Sequence, residues 1–212
     1  GNGGRCAAAF IHARKISSSR LLIFETAAGD RAYERLDAFD DGRMRYRSKM
    51  GRPSFVSSDI PMEAGDPHRD REVLDVPFRL GSRELRIAAL TVGNPQCVVL
   101  EAAGMDWREV GAKLSKDPVF PGGTNVSFLL SAEAQRIEIR IWERGVGPTY
   151  SSGTGCCGAA VASLALGLVK SPVSVVTETG TQVVEWNPGE EIRLTGDVWS
   201  IAEVRLEPAV LL

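Results

Sequence analysis

Apolar and polar residues alternate through much of the chain, the period-two pattern of strands with one buried face. Leu21–Glu25, Asp30–Ala38 and Met44–Lys49 read as strands, the last entered through an Asp41-Gly42 turn. So do Glu84–Thr91, Cys97–Glu101, Asn125–Ser131, Arg136–Trp142, Val173–Glu178, Gln182–Trp186, Glu191–Thr195 and the apolar run Val198–Leu206. Alanine-rich segments from about Gly4 to Lys15 and from Gly155 to Val169 predict helices, with a shorter one near Trp107–Leu114. Residues 51–72, rich in proline, glycine and charge, read as a linker. Many strands and two substantial helices predict an α+β fold.

The pattern also repeats. GNGGRCAAA at Gly1 opens the first helix, and the strand after it ends in Glu25-Thr26-Ala27-Ala28-Gly29. GTGCCGAAVA at Gly153 opens the other, and the strand after it ends in Glu178-Thr179-Gly180. First glycine and threonine are 25 residues apart in one copy and 26 in the other, which predicts two similar lobes. The second copy has a long run before its glycine motif, from Phe78 onward, and the first has none. A comparable stretch of roughly seventy residues is therefore expected ahead of Gly1. The expected division is residues 1–56 for the remainder of the first lobe, 57–196 for the second, and 197–212 for a final strand returning to the first.

Composition narrows the classes. Charged residues make up 25% of the 212 residues and net charge is −2, so no whole-protein field attracts nucleic acid or an anionic membrane. The longest mainly apolar stretch, Ala159 to Val169, is too short to span a bilayer, and the first residues hold no apolar leader segment. Four cysteines are too sparse for a disulfide scaffold and favour the cytoplasm. His12 and His68 lie far apart, and cysteine and carboxylate ligands do not cluster for a metal.

Each glycine-rich helix start offers unpaired N–H groups and the positive end of a dipole. Two such starts facing one another across a cleft would clamp a carboxylate or phosphate. The second also spells a dinucleotide-type pattern, Gly153, Gly155 and Gly158, with Glu178 twenty residues beyond Gly158. That pattern should follow directly on a buried strand, whereas Gly147 to Ser152 intervene.

Four motifs then occur in order: Gly1-Asn2-Gly3-Gly4-Arg5-Cys6, Gly93-Asn94-Pro95-Gln96-Cys97, Trp142-Glu143-Arg144-Gly145-Val146-Gly147 and Ser152-Gly153-Thr154-Gly155. Together with the Glu25–Gly29 turn and Met50-Gly51-Arg52-Pro53 they closely resemble the diaminopimelate epimerase family. The resemblance implies two pseudo-symmetric lobes, each wrapping strands around a central helix. It also implies cofactor-independent inversion at a carbon between carboxylate and ammonium, in lysine and cell-wall precursor synthesis. One cysteine removes the α-proton and a second, on the opposite face, returns one, because a thiol of pKa about 8.5 is readily tuned.

By the same resemblance, backbone groups of Gly1, Asn2, Gly153 and Thr154 hold the substrate α-carboxylate. Asn94, Asn125, Glu143 and Arg144 read the distal amino and carboxylate groups, and Glu143 and Gln96 occupy the positions that tune the catalytic pair. A guanidinium such as that of Arg144 is in any case a natural bidentate partner for a carboxylate. The sequence also departs from the family. Its first cysteine would lie one residue before Gly1, Ser152 takes the place of the second, Gln96 replaces a histidine and Pro148 a glutamate. A serine hydroxyl needs a base to remove its proton, and neither His12 nor His68 is placed to serve. The expected partner is a small amino-acid substrate, without cofactor, nucleic acid or membrane, and with homodimer assembly left open. The alternatives are another isomerase or dehydratase of the same superfamily, or a non-catalytic amino-acid-binding paralogue.

Overall fold

The computed structural model describes residues 2–26, 29–63 and 71–203. The chain runs α1 (Asn2–Ala13), β1 (Leu21–Phe24), β2 (Arg31–Ala38), β3 (Arg43–Gly51), β4 (Val76–Leu80), β5 (Arg83–Thr91), β6 (Pro95–Val99), α2 (Trp107–Leu114), β7 (Asn125–Glu133), β8 (Arg136–Glu143) and β9 (Gly147–Thr149). It continues through α3 (Gly153–Ala165), β10 (Val173–Thr177), β11 (Gly180–Glu185) and β12 (Ile192–Trp199). The fold is α+β, as the alternating pattern predicts.

All the strands join one sheet, ordered β1-β2-β3-β12-β11-β10-β8-β7-β6-β5-β4, with β9 against β8. Pairing is antiparallel except at β8–β10 and β6–β7. The sheet wraps two helices of unlike burial. α3 is apolar all round, and ten of its thirteen residues are buried, the signature of a helix enclosed by its surroundings. Its core partners include Leu90, Val98, Ile139, Ile141, Val175 and Leu194 from five strands. α1 buries Arg5, Ala8, Ala9 and His12, a single stripe at i, i+3, i+4 and i+7, against Tyr33 and Tyr46. β12 pairs with β3 on one side and β11 on the other, so it joins the α1 half to the α3 half.

The structure corrects four sequence expectations. Residues 51–72 are not a plain linker where they are described. Ser54 and Thr91 exchange backbone hydrogen bonds, and Ile60 and Ser57 are buried, because single apolar residues anchor an otherwise polar stretch. Two strands, β4 and β9, were not anticipated. The expected strands 191–195 and 198–206 are one strand, β12, which passes straight through Gly196, while positions 204–206 lie outside the described residues. The helix expected to reach Val169 ends at Ala165, where Gly167, at φ 70°, turns the chain away. No helix among the described residues is long and apolar enough to cross a membrane.

Candidate active site

The start of α3 is built on Ser152. Its backbone is extended (φ −140°, ψ 124°), and its Oγ accepts the Gly155 N–H at 3.4 Å, an N-cap arrangement. Cys156 N–H closes the first helical bond to the Ser152 carbonyl. The N–H groups of Gly153 and Thr154 have no hydrogen-bond partner among the described residues and are the orphan donors of this helix start. Ser152 itself is only 5% exposed. Its hydroxyl lies 3.5 Å from that of Thr154, with no histidine or carboxylate among its hydrogen-bond partners.

The glycines of this motif serve packing. A Cβ at Gly155 would stand 3.3 Å from Ile141, and one at Gly158 would stand 3.1 Å from the Cβ of Gln96. They let α3 lie close on β8 and β6. The helix also follows β9, which is antiparallel to β8, so the dinucleotide context is not met.

The start of α1 comes to the same place, although Gly1 lies outside the described residues. Asn2 Nδ2 reaches the Ser151 carbonyl at 3.5 Å, and Asn2 Oδ1 accepts from the Arg5 guanidinium at 2.6 Å. Arg5 also donates to Gln182 Oε1 at 3.1 Å, and Gln182 Nε2 donates to Ser151 Oγ at 3.0 Å. Asn2, Arg5, Gln182 and Ser151, the last through both its carbonyl and its hydroxyl, close a ring that spans both helix starts.

Beside this ring is a cavity of about 390 Å³. Gly4, Arg31 and Tyr33 line it from the α1 side, and Val92, Asn94 and Thr154 from the α3 side. Gly4 must be glycine, since a Cβ there would stand 2.0 Å from the Tyr33 hydroxyl oxygen. Burial raises the Tyr33 phenol above its ordinary range, partly offset by the charges of Arg5 and Arg31.

The remaining sequence-predicted residues collect at one end of β6, β7 and β8. Gln96 and Asn125 are opposite one another in register. Asn125 accepts the Arg144 backbone N–H at 2.9 Å and donates to the Pro95 carbonyl at 3.1 Å, so it ties β7 to β6 and to the turn that follows β8. Gln96 donates to Asn94 Oδ1 at 2.9 Å, and its own buried Oε1 has no partner among the described residues. Arg144 is exposed and donates to the carbonyls of Gly122 and Gly123 rather than lining the cavity. Glu143 is half-buried at the end of β8. Thus Asn94, Thr154 and the first turn of α1 share the cavity, with Asn125, Glu143, Arg144 and Gln96 grouped beside them.

Sequence reading missed Arg5, Arg31, Tyr33 and Gln182. Arg31 and Tyr33 were recoverable as an i, i+2 pair on one face of a strand. The buried thiols are not nucleophiles. Burial pushes Cys156 up to about 12 and raises Cys97 and Cys157 further still. His12 is buried and fully engaged by the Tyr46 hydroxyl at 2.6 Å and the Ser19 carbonyl at 2.8 Å. His68 lies outside the described residues. Among the described residues no three His, Cys, Asp or Glu side chains gather as a metal site.

The chain is similar to known proteins in sequence and in fold. The sequence model of the diaminopimelate epimerase family matches residues 88–200. The diaminopimelate epimerase of Pseudomonas entomophila is 34% identical over 206 residues, 96% of this chain and 71% of that protein. That of Pelotomaculum thermopropionicum is 35% identical over 199 residues, 92% of this chain and 69% of that protein. Among solved structures, a probable proline racemase from Agrobacterium radiobacter superposes with a TM-score of 0.65 at 18% identity, covering 98% of this chain and 68% of that one. A hydroxyproline epimerase from Agrobacterium vitis gives 0.60 at 18% identity, covering 92% and 62%. At such identity these two structures speak for the fold alone.

Proposed function

Starting from a chain that belongs to the diaminopimelate epimerase family, we propose that the protein binds L,L- and meso-diaminopimelate and exchanges the α-proton of the bound amino acid without a cofactor. This places it in the synthesis of lysine and cell-wall precursors, in the cytoplasm. The observation that carries the reading is the shared cavity: Gly4 and Thr154, each in the first turn of its helix, line it together with Asn94.

The chemistry follows from that placement. The free N–H groups of Gly153 and Thr154 receive the α-carboxylate, aided by the positive end of the α3 dipole. As the α-proton passes to hydroxide from solvent, giving water, the electron pair stays on carbon and delocalises into this carboxylate, so the same donors stabilise the charge where it develops. Water returns a proton to the opposite face, regenerating hydroxide and inverting the centre. On the reading taken from the family motifs, Asn94, Asn125, Glu143 and Arg144 face the distal end, which requires Arg144 to release the carbonyls of Gly122 and Gly123. Ser152 occupies the α3-side position for proton transfer, and its neutral hydroxyl makes that step slow.

One observation favours a second reading. Ser152 Oγ serves as the helix cap and has no titratable partner among the described residues, as expected of a protein that binds the amino acid without turning it over. Calorimetric binding combined with NMR detection of deuterium entering Cα, run separately from each stereoisomer, distinguishes the two. Binding with slow exchange supports the epimerase reading, and binding with no exchange above buffer supports the second. No binding of either stereoisomer overturns both.

A further inference from the structure

Arg5 is 5% exposed, yet it has no carboxylate partner among the described residues. Its hydrogen bonds go to two neutral amides, Asn2 and Gln182, and its Nε–H is buried without an acceptor. The titratable groups that act on it include the thiols of Cys156 and Cys157 and the phenol of Tyr33, which burial holds in their neutral forms. Burial lowers the Arg5 pKa from its ordinary value, but a guanidinium stays protonated in proteins.

A buried charge left unpaired is costly, and proteins remove such charges unless something offsets them. Here space has been made for one. A Cβ at Gly196 would stand 2.5 Å from an Arg5 terminal nitrogen, so the guanidinium packs flat on the β12 backbone. From there it holds Asn2 at the start of α1 and, through Gln182, Ser151 just before α3.

We propose that Arg5 is the positioning residue of the anion cradle: it locks the two helix starts in register, and its uncompensated charge awaits the carboxylate that binds between them. The inference rests on the functional reading above, and it adds a group that touches no substrate. Arg5 lines a neighbouring pocket with Ser151, Gln182 and Asp197 rather than the cavity itself, and a carboxylate bound between the helix starts supplies a counter-charge that no described residue places in hydrogen-bond contact with it.

Gln182→Glu provides the decisive test, because it places a carboxylate on Arg5 without shortening either side chain. If Arg5 is only structural, the new ion pair leaves ligand affinity unchanged or improves it. If the free charge serves the cradle, calorimetric affinity for L,L-diaminopimelate falls roughly tenfold while the thermal midpoint holds or rises. Arg5→Met should lose affinity, and Arg5→Lys should recover part of it by restoring the charge without the paired hydrogen bonds. An Arg5→Met protein that fails to fold leaves Gln182→Glu to decide.

The proposal is overturned if Gln182→Glu folds and binds as tightly as the parent. A parent protein that ignores diaminopimelate refutes the functional reading but not this one, which is then read with malonate as the probe. If malonate also fails to bind, amide hydrogen exchange at residues 151–155 decides. Faster exchange in Gln182→Leu supports the lock, and unchanged exchange overturns it.

Discussion

Ser152 carries two duties that pull in different directions. As a cap it satisfies the Gly155 N–H, and Ser152→Ala is expected to lower stability by about 1 kcal/mol in urea unfolding. As the group beside the cavity it is a poor acid–base residue. Ser152→Cys should therefore raise α-proton exchange, by roughly tenfold or more, because a thiol at a helix N-terminus ionises more readily. Loss of exchange in that variant, measured by deuterium incorporation, would assign Ser152 another role. The buried thiols predict a pH dependence. In the unfolded chain a thiol ionises at about pH 8.5, whereas folded Cys156 resists until about 12. Their contribution is complete below about pH 8.5 and is lost as pH rises through that window. Urea midpoints between pH 8 and 11 should fall accordingly, and fall less in a Cys156→Ala, Cys157→Ala double variant. The placing of Asn94 in a turn and of Gly153 and Thr154 at a helix start was legible in the sequence because turns and helix starts are local. Arg5 and Gln182 were not, because their partnership joins residues 177 positions apart.

At the scale of elements, the two strands that escaped sequence reading have one cause. β4 contains Pro77 and β9 contains Pro148, and proline reads as a strand breaker. Both are tolerated because β4 ends the sheet and β9 pairs on one side only, so a missing N–H can face away from a partner. Gly196 misled in the opposite way. It splits the apolar pattern as a turn would, yet it lies within β12 to make room for Arg5. Gly196→Ala should cost about 1–3 kcal/mol by crowding the guanidinium. It should also weaken diaminopimelate binding, a pairing of effects that urea unfolding and calorimetry would check together. The repeat was read correctly as two helix starts, but not the inequality between a fully enclosed α3 and a one-sided α1. Periodicity reports which residues are apolar, not how many neighbours arrive to cover them.

The whole molecule is a single sheet in which β12 holds the two halves together. A chain ended at Pro188 keeps every other described strand, yet it is expected to lose its cooperative urea transition, since β3 and β11 would both be left as open edges. A retained sharp transition would show that the halves are independent. This topology also sets a schedule for synthesis. Arg43 pairs with Trp199, and a ribosome adding about 5–20 residues per second leaves β3 waiting roughly eight to thirty seconds for its partner. Through that interval its unclaimed edge is a target for chaperones and for neighbouring nascent chains. A pause at the codons just before Ile192 would then leave β3 and β11 without the strand that joins them, so the yield of folded protein should depend on translation speed there more than anywhere upstream.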